Sequence, residues 1–168
     1  MAGKSSSYFL KKIDYFSGLK QDHMTEVISF KTEDKDKASI IFAIRQKVFV
    51  EEQHVSHEEE YDEHEDESMH YMLLVDKQPA GTARWRFTND GIKLERFALL
   101  PEFRNKGYGS FLVNTVLKDV IPYGKMIYLN AQVNAMNLYS RAGFYQVGEL
   151  FYEANIPHFR MIFKNTVS

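Results

Sequence analysis

The chain has 168 residues and a formal charge of −2, with 23 acidic and 21 basic side chains, so it lacks the global basic bias that nucleic acid or an anionic membrane surface demands. It has no cysteine, which excludes disulfides, thiolate metal sites and a cysteine nucleophile. Its wholly apolar runs are a few residues long, far short of the roughly 18 that read as a membrane span. Residues 1–9 lack the apolar core and cleavage site of a signal peptide, and a cytoplasmic protein is expected.

In chain order, residues 1–22 read as an N-terminal extension, with a serine run at Ser5-Ser6-Ser7 and an aromatic stretch at 8–16 able to pack as a short extra element. Residues 23–168 read as one domain, with no internal repeat and no linker. Residues 24–31 predict the first strand, where Val27 and Ser29 alternate with Ile28 and Phe30. Asp34 or Asp36 is placed to cap a helix whose apolar stripe is Ile41, Ile44 and Val48, widened by Phe42 and Phe49. That pattern fades by Gln53.

Residues 51–67 break the character of the chain. Ten of these 17 residues are Asp or Glu and none is Lys or Arg, which leaves 13 acidic against 21 basic residues elsewhere. The expectation is an acidic loop on a basic body: the body suited to a polyphosphate, the loop to a cationic second substrate. His54, His57, His64 and His70 are interspersed among the carboxylates, so a metal site, a solvated loop and an acceptor site all stay open. No metal is expected, because His54 and His57 lack a matching second pair of ligands at a recognised spacing.

Three strands follow, at 69–75, 80–88 and 92–100, with Asn89-Asp90-Gly91 as the hairpin turn between the last two. Pro101 stops the third strand. From Gly109 a helical stripe runs through Leu112, Val113, Val116, Leu117 and Val120. Between strand and helix lies Arg104-Asn105-Lys106-Gly107-Tyr108-Gly109-Ser110. Unpaired amides at a helix start carry partial positive charge, and glycines let a ligand approach the backbone. The stretch reads either as an anion cradle or as a tight two-glycine turn. It is not a Walker loop, since no Gly-Lys-Ser/Thr follows, nor a dinucleotide fingerprint, since the third glycine is missing. A strand at 126–131, a short helix at 134–142 ended by Gly143, and strands at 144–152 and 158–163 complete the chain.

The Arg104-x-x-Gly107-x-Gly109 motif resembles the pyrophosphate-binding motif of the GNAT acetyltransferases, the general-control-related N-acetyltransferases. A second stretch, Ala135 through Leu138-Tyr139 to Gly143-Phe144, is similar to that family's A-x-x-L-Y-x-x-x-G-F helix. The element order matches as well, from about residue 24 to residue 164. The resemblance implies an α/β (α+β) fold. Its sheet would be mixed and mostly antiparallel, with six to seven strands, helices on both faces and strands 4 and 5 splayed apart.

The resemblance further implies that acetyl-coenzyme A is the co-substrate. Phe97, Ala98 and Leu99 would pair with the pantetheine arm. The amides of Arg104, Asn105, Lys106, Gly107, Tyr108 and Gly109, with Ser110 beside them, would hold the pyrophosphate. Tyr139 would protonate the departing thiolate, its alternative being a core aromatic. The family often carries an asparagine seven residues before that tyrosine. Here the position is Gln132, so Gln132 with its longer arm or Asn134 would contact the pantetheine.

An alkylamine acceptor needs a base, because little of it is unprotonated near neutrality. Glu95 is the first candidate: strict alternation would put it on one face with Lys93, Phe97 and Leu99. Its alternative is an ion pair with Arg84, Arg86 or Arg96. His158 is the second candidate, and Glu51 or Glu52 the third. The expected activity is transfer of acetyl to a primary amine by direct attack in a ternary complex. The acceptor is expected to be a small molecule or peptide, cationic, and neither nucleic acid nor membrane. A non-catalytic acyl-coenzyme A sensor on the same scaffold is the alternative. The resemblance leaves a homodimer open, with 13 Phe, 10 Tyr and 1 Trp to supply an interface.

Overall fold

The computed structural model describes residues 23–164; the expected extension at 1–22 and its aromatic stretch lie outside the described residues. Seven strands form one sheet: β1 (Thr25–Phe30), β2 (Met69–Val75), β3 (Gln78–Thr88), β4 (Gly91–Leu99), β5 (Ile127–Gln132), β6 (Phe144–Glu153) and β7 (Ile156–Phe163). Their spatial order is β1-β2-β3-β4-β5-β7-β6. All neighbours are antiparallel except β4 and β5, which are parallel. A parallel pair needs a crossover, and α3 (Tyr108–Val120) supplies it. The mixed, mostly antiparallel sheet expected from the sequence is the one found.

The other α-helices of the described residues are α1 (Lys35–Arg45), α2 (His57–Glu60) and α4 (Met136–Arg141). Asp34 caps α1, its side chain accepting the Lys37 amide at 3.2 Å. Helical winding continues past α1 as a π-helical run, Gln46–Glu52, which keeps Val48 and Phe49 buried. π-helical turns recur at functional sites, and this one ends on Glu52 and Gln53 at the cleft described below. Among the described residues no helix is long and apolar enough to cross a membrane.

Two apolar layers flank the sheet. On one face Leu112, Val113, Val116, Leu117 and Val120 of α3 pack with Tyr71, Leu73, Ile92, Leu94, Leu129 and Met161, joined by Tyr139 of α4. The predicted stripe of α3 is thus its buried side, and each such side chain contributes roughly 1.5–3 kcal/mol by leaving water. On the other face Ile44, Val48, Phe49 and Val55 pack with Ala98, while Ala38 and Ile41 pack with Phe30 and Met72. The sheet is therefore covered on both sides.

One irregularity positions the site. Arg84 faces Glu95 and Thr82 faces Ala98, so the single residue Ala83 spans both Arg96 and Phe97. Arg96 takes a left-handed conformation, φ 57°. A bulge of this kind reverses the side to which every later residue points. Ile92 and Leu94 join the α3 layer, and beyond the bulge so do Phe97 and Leu99, whereas Ala98 joins the α1 layer. The expected common face of Glu95, Phe97 and Leu99 is therefore corrected: Glu95 shares its face with Lys93 and Ala98.

Candidate active site

The β4–β5 ladder has only three paired positions, Ile92 with Ile127, Lys93 with Tyr128 and Leu94 with Leu129. Beyond Leu94 the strands part, as expected for a sheet splayed between its fourth and fifth strands. The side of β4 from Glu95 to Leu99 that faces β5 has no strand partner; its other side pairs with β3. A cleft of about 1590 Å³ opens there. That exceeds the roughly 300–1,000 Å³ of a site for one drug-sized ligand and leaves room for two substrates.

At one end of the cleft stands the glycine turn. Gly107 is the residue before α3, with φ 85°, a conformation that other residues adopt only with strain. Gly109 is different. A Cβ there would meet Leu138 and Leu99 no closer than 3.6 Å, an ordinary contact, so the protein's own packing does not require glycine. The space over Gly109 belongs to the cleft, which it lines with Asn105, Gly107 and Ser110. The turn therefore fits a polyphosphate held on backbone amides.

The side chains of this stretch divide. Arg104 turns its guanidinium to Glu52, making two bonds of 2.7 and 2.8 Å, and its Nε donates to the Leu99 carbonyl at 3.0 Å. Its amide is already bonded to the Pro101 carbonyl at 3.2 Å. Lys106 Nζ donates to the Glu102 carbonyl at 2.7 Å. Tyr108 packs into the core, its ring 6.2 Å from Phe103. The expected run of free amides thus loses Arg104, and the Lys106 and Tyr108 side chains are engaged elsewhere.

Across the cleft, α4 presents Tyr139. Its ring packs edge-on between Phe97, at 5.8 Å, and Phe144, at 6.1 Å. None of the described residues hydrogen-bonds its hydroxyl. Burial holds the phenol above its usual pKa, so it stays protonated at neutral pH. Tyr139 thus packs as a core aromatic and also lines the cleft. Gln132, at the end of β5, donates to Gln53 Oε1 at 2.8 Å and is engaged across the cleft mouth. Asn134 lies exposed on the cleft wall.

His158 is buried, 6% exposed, and lines the same cleft. Its Nδ1 lies 2.7 Å from the Ile156 carbonyl, which can only accept. The neutral ring therefore carries its proton on Nδ1 and its lone pair on Nε2, 4.0 Å from Glu153. Asn130 Nδ2 donates to Glu153 at 2.6 Å, setting that carboxylate beside the histidine.

Glu95 also lines the cleft, but its carboxylate takes the ion-paired role that stood as its alternative. Arg84 holds one oxygen, while Arg86 and Lys93 each approach the other at 3.2 Å. Burial works to raise its pKa, yet the charges of Arg84, Lys93 and Arg86 outweigh that and hold it at about 2. Such a carboxylate is a poor acceptor for an amine proton. Glu52, spent on Arg104, is likewise engaged.

The acidic stretch is not a loop set against a basic body. Glu60 and Glu65 pair with buried Arg45, Asp62 and Glu65 with buried Arg84, and Glu60 and Asp62 with Arg96. Buried guanidinium groups need carboxylate partners, and residues 51–67 supply them. Arg45 and Arg84 were missed as partners of this stretch. The available signal was a dense acidic run with no basic residue inside it, whose counter-charges had to lie elsewhere. Among the described residues no three His, Asp or Glu gather as metal ligands.

The comparisons with known proteins agree with this geometry. The acetyltransferase (GNAT) domain family matches residues 28–164. The uncharacterized N-acetyltransferase YjcF of Bacillus subtilis (strain 168) is 35% identical over 123 residues, covering 72% of this chain and 88% of its own. The crystal structure of Escherichia coli ElaA superposes with a TM-score of 0.75 at 22% identity, over 84% of this chain and 100% of that one. An acyl-CoA N-acyltransferase from Pseudomonas aeruginosa superposes with a TM-score of 0.75 at 24% identity, over 84% and 100%.

Proposed function

The chain belongs to the GNAT acetyltransferase family and is an acyltransferase, and from that premise we propose that it moves acetyl from acetyl-coenzyme A to a primary amine by direct attack. The observation that carries the reading is the β4–β5 ladder. It stops at Leu94, and the cleft beyond it is lined by a glycine turn on one side and Tyr139 on the other.

Asn105, Gly107, Gly109 and Ser110 would hold the pyrophosphate at the start of α3. The unpaired edge of Phe97, Ala98 and Leu99 would take the pantetheine arm as an added strand. Asn134 and Gln132 line the same passage, Gln132 after exchanging its bond to Gln53. An acyl-coenzyme A supplies an acyl group on a thiol, a good leaving group.

The rest of the chemistry belongs to the side chains. His158, through the Nε2 lone pair, takes the proton of the acceptor amine. Tyr139 donates its hydroxyl toward the position of the thioester sulfur, where negative charge develops. Its raised pKa makes complete proton transfer uphill, so its main contribution is a hydrogen bond in a partly dry site. Glu95 stays charged and fixes the cations around it. The chain has no cysteine to carry the acyl group.

The test is release of free thiol from acetyl-coenzyme A in the presence of a panel of amines, amino acids and peptides. Amine-dependent release above buffer supports the reading. Tight binding of acetyl-coenzyme A without release from any acceptor would instead favour a sensor.

A further inference from the structure

Among the cations that line the cleft, Arg86 and Lys93 meet at one carboxylate and have no task in the chemistry above. Arg86 and Lys93 are opposite one another across the β3–β4 ladder, and both line the cleft. Arg86 Nε and Lys93 Nζ each stand 3.2 Å from the same atom, Oε1 of Glu95. The other oxygen belongs to Arg84. Three cations therefore share one carboxylate.

Their charges are not equally matched. Arg84 is fully buried and has Asp62 and Glu65 as further partners at 2.6 and 2.9 Å. Arg86 reaches only the exposed Glu67 besides, at 3.7 Å. Lys93 has no further carboxylate among the described residues. The two side chains are 15% and 22% exposed, so they are partly desolvated yet open to the cleft. A guanidinium has five N–H donors and an ammonium three, most of them unused here. Cations on a low-dielectric wall attract an anion more strongly than they would in water.

We infer that Arg86 and Lys93 form a subsite for a carboxylate carried by the acceptor, with Glu95 as the positioning residue that holds them side by side. This rests on the acyl-transfer reading above and names its acceptor class: an amine with a carboxylate several bonds from the reacting nitrogen. Lys93 lies four residues before Phe97 on β4, about 13 Å of extended chain at roughly 3.3 Å per residue. The two long side chains take up part of that span. An α-amino acid, with both groups on one carbon, is too short for the remainder, whereas 6-aminohexanoate can bridge it. Glu153 and His158 line the same cleft, and His158 is the group that would take the amine proton.

The experiment compares 6-aminohexanoate with hexylamine, which replaces the carboxylate by a methyl group. Both are assayed with acetyl-coenzyme A and the full chain, in wild type, Arg86→Gln, Lys93→Gln and Lys93→Arg. Thermal melting confirms that each variant folds. The wild type should prefer 6-aminohexanoate by at least about tenfold in kcat/KM, the effect of one charged hydrogen bond. Each glutamine variant should lower that ratio about tenfold, and Lys93→Arg should restore it. A ratio near one in the wild type, or a ratio unmoved in both glutamine variants, overturns the subsite. Calorimetric titration of 6-aminohexanoate into protein loaded with coenzyme A separates the two readings. Binding that is lost in both glutamine variants, without turnover of any amine, upholds the subsite and overturns acyl transfer. Absence of both binding and turnover overturns the subsite.

Discussion

Tyr139, His158 and Arg96 illustrate what single residues decide. Removing the Tyr139 hydroxyl leaves an apolar ring between Phe97 and Phe144 and breaks no hydrogen bond within the protein. Tyr139→Phe should therefore melt within a degree or two of wild type while kcat falls about 10²-fold or more. Equal turnover in the two would remove the acid from the scheme. His158→Gln should lower kcat/KM by a similar factor, and Glu95→Gln should act mainly through acceptor KM. Arg96 is a different case. Its left-handed backbone, φ 57°, is strained for a side-chain-bearing residue, and its guanidinium is held by Glu60 and Asp62. Both Arg96→Ala and Arg96→Gly lose those pairs, but only glycine is relaxed at this φ. The glycine variant should be more stable than the alanine variant by about 1 kcal/mol in denaturant titrations.

At the scale of elements, the turn before α3 and the α1–α2 segment carry opposite burdens. The protein's own packing leaves room for a Cβ at Gly109, which lines the cleft. Gly109→Ala should fold at least as stably as wild type, since alanine favours a helix by up to about 1 kcal/mol. The same change should weaken coenzyme A binding measured by calorimetry. If affinity is unaltered, the cradle lies elsewhere. The segment from Gln46 to Asp62 both covers the sheet and neutralises it. Arg45→Ala would leave Glu60 buried without its main partner and should lose about 3–5 kcal/mol, a far larger effect than for an exposed arginine. Helix α3 and the succession of strands and helices along the chain were legible in the sequence because apolar period and turn residues are local signals. The π-helical run and the bulge at Arg96 were not, since both are settled by what packs on them.

For the whole molecule, the distribution of charge governs the response to acid. Burial raises the pKa of Glu65 and Asp62, but hydrogen bonds from Arg45 to Glu65 and from Arg84 to Asp62 pull both below their usual values. Glu95 lies at about 2. A carboxylate with a depressed folded pKa stabilises the fold fully above its unfolded value, near 4, and loses that contribution as pH falls through its folded value. The contribution of these carboxylates should therefore be lost between about pH 4.5 and 2, seen as a fall in denaturant midpoints over that range. Glu95→Gln should flatten that fall. A midpoint that stays constant down to pH 2 would show that these pairs contribute nothing to folding.

Sequence by itself determined the elements and the family. The stripe of α3, the Arg104-x-x-Gly107-x-Gly109 turn and the Leu138-Tyr139 helix depend on neighbours within one or two turns of chain, and such neighbours are visible in order. Tertiary structure decided the electrostatics and the facing of side chains. It folded the acidic stretch onto Arg45, Arg84 and Arg96, residues whose partners lie up to 37 positions away. It set Glu95 among Arg84, Arg86 and Lys93, which the β3–β4 register places around it, and one extra residue at Arg96 turned Phe97 and Leu99 to the opposite face. A charge is given meaning by whatever stands within a few ångströms, and only the folded chain brings those groups together.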